Sequence, residues 1–111
     1  MNQIQHIITG APAAFAKSVN KLAAASGVSL SVAAISYNEG KLAAVINELA
    51  GSANSPGSLI EIRVAAVKDG GRFIADLQAE NPLWSVRAAF AAKGEESKAA
   101  AVLVVAVLRQ P

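Results

Sequence analysis

Hydrophobic and polar residues alternate along much of the chain, most clearly between residues 59 and 80. Over the first part of that stretch Ile60, Ile62, Val64 and Ala66 fall on one side, and Glu61, Arg63 and Ala65 on the other. Further on, Phe73, Ala75, Leu77 and Ala79 oppose Arg72, Ile74, Asp76 and Gln78. Period-two patterning on both sides of Asp69-Gly70-Gly71 predicts a β-hairpin, its glycines supplying the positive φ of a tight primed turn. With Gly70 and Gly71 as the loop, Val64 pairs with Leu77 and Ala66 with Ala75, so the apolar faces coincide.

The flanking segments extend the pattern. Residues 2–9 read as a strand with Ile4, His6 and Ile8 on one side. Gly10-Ala11-Pro12 opens a helix in which Phe15, Val19, Leu22 and Ser26 recur at helical spacing, and Gly27 is its stop. Residues 28–37 read as a second strand, Val28, Leu30, Val32 and Ala34 alternating with smaller residues. Asn38 is placed to cap a second helix carrying Leu42, Val45, Ile46 and Leu49 at i, i+3, i+4 and i+7, ended by Gly51. Residues 51–58 then form a loop. Residues 83–93 fit either a helix between Asn81-Pro82 and Gly94 or a strand alternating Trp84, Val86, Ala88 and Phe90. The strand is the slightly favoured reading. A polar turn over 93–98 leads to Ala99–Arg109, apolar on both sides and valine-rich as an interior strand is. No internal repeat is visible. The expectation is one α+β domain spanning residues 1–111. Two helices would pack on one face of a mostly antiparallel five- to six-stranded sheet. The order is β-α-β-α-β-β, followed by a further hairpin or a helix plus strand.

Composition adds one positive feature and several exclusions. Of 111 residues 53% are hydrophobic and only 16% charged, so a domain of this size has too little charge to cover itself. Burial of some apolar surface against another copy or a partner protein is therefore expected. The absence of cysteine excludes thiolate chemistry, disulfides and cysteine-based zinc sites. One histidine is too few for an ordinary transition-metal site, and no cofactor is expected. The N-terminus has no secretory pattern and the longest apolar run is far below the roughly 20 residues of a membrane span, so a soluble, cytoplasmic protein without membrane contact is expected.

Candidate chemistry is sparse. His6 could act as a general base, but nothing in the sequence places a partner beside it; a half-buried histidine satisfied by backbone is the favoured reading. Glu61 and Asp76, with Arg63, Arg72 and Gln78, make either a recognition surface or a solvated sheet face with cross-strand ion pairs. Gly10 before a helix lacks every further mark of a phosphate loop, and no nucleophile motif occurs. Whether the chain is an enzyme is left open, with nothing in its favour. Trp84 reads as core or as a stacking residue, and Tyr37 as the more exposed aromatic.

A net charge of +2 and a pI near 9.2 give weak support to nucleic-acid binding. The candidate binding residues are Lys17, Lys21, Lys41, Arg63, Lys68, Arg72 and Tyr37, the basic ones as a phosphate-tracking patch. The strand, helix, strand, helix, hairpin order over residues 1–80 resembles that of Alba-type chromatin proteins and of the C-terminal domain of a translation initiation factor. In the Alba family, lysines at the first helix and a basic hairpin arm grip the nucleic-acid backbone. Here Thr9-Gly10-Ala11-Pro12 lacks the lysine pair, and Lys68-Asp69-Gly70-Gly71-Arg72 keeps two basic residues and adds an acid. The leading expectation is a small non-catalytic binding or assembly protein acting as a homo-oligomer. The alternative is a nucleic-acid-binding module with Alba-like order.

Overall fold

The structure, a computed structural model, describes residues 4–93 and 101–110. Its elements are β1 (Gln5–Gly10), α1 (Pro12–Ala25), β2 (Val28–Asn38), β3 (Lys41–Ser52), β4 (Leu59–Val67), α2 (Gly70–Glu80), β5 (Trp84–Lys93) and β6 (Ala101–Arg109). The α+β class and the six antiparallel strands are as expected, but the strands form two three-stranded sheets, ordered β1-β3-β2 and β4-β6-β5. The strands read over residues 2–9, 28–37 and 83–93 are present within the described residues as β1, β2 and β5, and the valine-rich run is the central strand of its sheet. The turn expected over 93–98 lies, from residue 94 on, outside the described residues.

Two elements differ from expectation, and they exchange roles. Residues 70–80 are a helix, not the second arm of a hairpin. Asp69 caps it, its Oδ1 accepting from the Arg72 backbone N–H at 3.0 Å. Phe73 and Leu77, four apart, suit a helix face as well as a strand face, and the cap decides between them. Residues 41–52 are a strand, not a helix. Asn38 pairs with Lys41 across the two-residue loop Glu39-Gly40, where φ is 51° and 77°. Positive φ at both central positions is the mark of the type I′ hairpin turn, so the primed turn of this chain lies here and not at Gly70-Gly71. The Alba-like order therefore does not occur.

The chain instead repeats one arrangement, strand-helix-strand-strand, twice. In each half the third strand is central and both neighbours run antiparallel to it. The register slips at corresponding places, between Val32 and Ala34 opposite β3 and between Ala88 and Phe90 opposite β6. Phe15 and Val19 in α1 correspond to Phe73 and Leu77 in α2. The repeat is faint in the sequence because few residues beyond these helix positions agree.

The halves stack. The inner face of the first sheet (Leu30, Leu42, Ala44, Ile46) meets Ile62, Val104 and Ala106 of the second, enclosing Phe15 and Val19. On the far side of the second sheet, Leu77 of α2 packs with Val86, Leu103 and Val105. Helix α1 runs beside the free edge of β4, where the Asn20 amide behaves like a neighbouring strand. Its Nδ2 donates to the Ile62 carbonyl at 3.0 Å and its Oδ1 accepts from the Ile62 N–H at 2.7 Å. Gln78 does the same for β5, donating to the Trp84 carbonyl at 2.7 Å and accepting from the Val86 N–H at 2.9 Å. A buried hydroxyl pair, Ser58 to Ser29 at 2.8 Å, joins the segment between the halves to β2.

Asn20→Leu removes both bonds to Ile62 and should cost about 2 kcal/mol, read as a lower urea midpoint with faster amide exchange at Ile62. Glu39→Asn relieves a left-handed residue in the hairpin turn and should stabilise by about 0.5–1 kcal/mol, read as a higher midpoint with an unchanged denaturant slope.

Candidate functional site

The basic residues singled out in the sequence are spread over separate elements. Lys17 and Lys21 lie one turn apart on the exposed side of α1, and Lys41 sits at the β2–β3 turn. Lys68 and Arg72 flank the start of α2, where Arg72 Nε lies 3.9 Å from the Asp76 carboxylate. Arg63 reaches Glu61 at 3.4 Å within β4. The expected cross-strand pairs are thus replaced by one pair within a strand and one within a helix, because residues 70–80 are helical. Tyr37 is half-buried against the main core. Trp84 is half-buried beside the exposed Leu83, lining a hollow of about 320 Å³ with Ile60, Asn54, Arg109 and Gln110. Two polar groups there are engaged, Arg109 Nε with the Ala53 carbonyl and Gln110 Nε2 with the Pro82 and Trp84 carbonyls.

His6 does find a carboxylate: its Nε2 lies 2.9 Å from Glu48 Oε1. The neighbours fixed by register are Ile46 beside His6 and Leu30 beside Glu48, and no side-chain hydroxyl bonds to the pair among the described residues. The arrangement ties β1 to β3. No cluster of three or more metal-ligating side chains occurs among the described residues. Among them, too, no helix is long and apolar enough to cross a membrane.

The feature that stands out is the outer face of the first sheet, the side turned away from the core. Its cross-strand rows follow from the register. The central row is Ile7, Val45 and Ala34. On one side of it lies the row Thr9, Ala43 and Ser36, and on the other Gln5, Asn47 and Ser31. Apolar side chains occupy the middle and polar ones dominate the flanks, the pattern of a protein interface with its apolar centre and polar rim. None of the nine positions is charged. Ile7 is 76% exposed, and a groove of about 130 Å³ opens between it, Val45, Ala43, Ala34 and Ser36.

The repeat shows what such a row does elsewhere in the chain. The corresponding row of the second sheet is Val64, Val104 and Phe90, and it packs into the core under the first sheet. One copy of the row is covered within the chain; the other is bare.

This face went unread in the sequence. Its signal was present in the adjacent pair Ile7-Ile8 and the unbroken run Ala43-Ala44-Val45-Ile46, which put apolar residues on both faces of β1 and β3. The expected alternation also placed Ala34 with Leu30 and Val32, whereas the extra residue at the register slip turns Ala34 outward.

No protein-family model matches the chain, and neither a curated protein nor a solved structure is significantly similar to it.

Proposed function

We propose that this chain is a small non-catalytic assembly protein that works as a homo-oligomer through the outer face of its first sheet. The observation that carries the reading is the bare central row Ile7, Val45 and Ala34 within an uncharged patch. Water-exposed sheet faces are ordinarily polar and carry charge, since a contiguous apolar patch favours association. The overall charge of 16% supports the same reading. The rival, a nucleic-acid-binding module, draws its phosphate contacts from Lys17, Lys21, Lys41, Arg63, Lys68 and Arg72, two of which face carboxylates of the same chain.

Light scattering coupled to size exclusion, at low salt with and without mixed DNA and RNA, separates the two. The wild type should elute as an oligomer indifferent to nucleic acid. Ile7→Lys should weaken association by about 30-fold or more while keeping the wild-type circular dichroism, since Ile7 is outside the core. A monomeric wild type, or an Ile7→Lys variant that associates unchanged, overturns the reading. A salt-sensitive shift on adding nucleic acid supports the rival.

A further inference from the structure

We infer that the occupant of this face is the same face of a second copy, related by a two-fold axis running along β3. The inference rests on the proposed homo-oligomer and specifies which surfaces meet and how.

Charge argues for the pairing of like faces. A two-fold interface brings each residue near its axis against itself, so a charged face would repel its own image. The nine positions of the patch carry no charge, and the charged strand residue of this face, Lys41, lies beyond the patch at the turn end of β3. The opposite surface of the molecule, formed by α2 and the exposed side of β4, carries Glu61, Arg63, Arg72 and Asp76. A head-to-tail stack would seat those charges on the apolar row and strip them of water, and it would propagate without closing.

Shape places the axis. Ile7 is the large end of the central row and Ala34 the small end, with the groove beside it and Val45 between them. An axis along β3 reverses the row. Val45 then meets Val45, and each Ile7 enters the groove at the Ala34 end of the other copy. An axis along the row would instead stack Ile7 on Ile7 and leave both grooves unfilled. A tilt of the axis by roughly 15° from β3 gives the angle of about 30° between strand directions found in aligned sheet packing.

Asn47 Oδ1 is shielded from solvent and has no hydrogen-bond partner among the described residues. Asn47 lies on β3, two residues from Val45, so the axis brings the two Asn47 side chains together, and a rotation of the amides lets each Nδ2 donate to the other's Oδ1. The whole outer face, three strands about 4.8 Å apart with the longer pair rising about 3.4 Å per residue, presents roughly 500 Å² per copy, about half of it the nine-residue patch. The whole face makes roughly 1,000 Å² for the pair, the lower bound of specific interfaces.

The chain has no cysteine, so single-cysteine variants read the geometry without background. Under native conditions with a short bis-maleimide, Val45→Cys should form a covalent dimer with itself. Ala88→Cys, exposed on the α2 side of the second sheet, should stay monomeric. A mixture of Ile7→Cys and Ala34→Cys should cross-link more than either variant alone. An oligomer in which Val45→Cys links to Ala88→Cys and not to itself overturns the inference in favour of a head-to-tail stack. One in which Ile7→Cys links chiefly to itself overturns the position of the axis. Light scattering on the unmodified protein stands apart from both: a monomer there removes the underlying homo-oligomer, whatever the cross-links.

Discussion

The amide of Asn20 bonded to both backbone groups of Ile62 fixes how the two halves of this molecule sit together. Edge strands expose a row of unpaired donors and acceptors, and β4 is the edge of its sheet. By presenting an acceptor and a donor at strand spacing, Asn20 occupies part of that edge and holds α1 alongside it. The docked helix carries Phe15 and Val19 into the space between the sheets, where they meet Ile46 from one side and Ile62 and Val104 from the other. Once the second sheet lies on the face that α1 also shares, no described element of the chain is left to cover the opposite face of the first sheet.

A repeated arrangement with unequal surroundings follows from that stacking. Each half presents a helix side and a bare side. Within the chain, the helix side of the first half is set against the bare side of the second. The remaining helix side is covered by α2, with Leu77 on Val86, Leu103 and Val105, and its outward groups are charged. The remaining bare side has an uncharged centre, with Lys41 at its turn end. The two outward surfaces are therefore chemically unlike, and the stack has no chemical reason to continue in one direction.

Much of this architecture could be read from local patterns. The helix at Pro12 announces itself through proline at its start and Phe15 and Val19 at helical spacing, and the apolar valine run of β6 through its lack of a polar face. The errors at residues 41–52 and 70–80 share one cause. Leu42, Val45, Ile46 and Leu49 satisfy a helical period, while Leu42, Ala44 and Ile46 satisfy a strand period. Phe73 and Leu77 satisfy both as well. Hydrophobic period cannot separate such segments, and short polar residues decided them: Glu39-Gly40 as a left-handed turn and Asp69 as a cap. The helix strings Phe15-Ala16-Lys17-Ser18-Val19-Asn20 and Phe73-Ile74-Ala75-Asp76-Leu77-Gln78 held the one legible trace of the repeat. Each sets an aromatic, an aliphatic and a strand-capping amide at the same spacing. The bare face was less accessible, because which side of the first sheet is covered depends on contacts between residues far apart in sequence, such as Asn20 with Ile62.

The corresponding register slips show how a small backbone feature separates the two bare sides. In β5 the extra residue places Phe90 opposite Val104, and the ring fills the space beneath the first sheet. In β2 it places Ala34 opposite Val45, and the small side chain leaves a groove. Without the slip, Ala34 would point into the core and the outer row would lose its small end. A phenylalanine makes its row large enough to be buried by the other half of the chain. An alanine at the equivalent place makes its row concave next to a protruding Ile7. The row thus sets a knob and a hollow side by side without a charge between them.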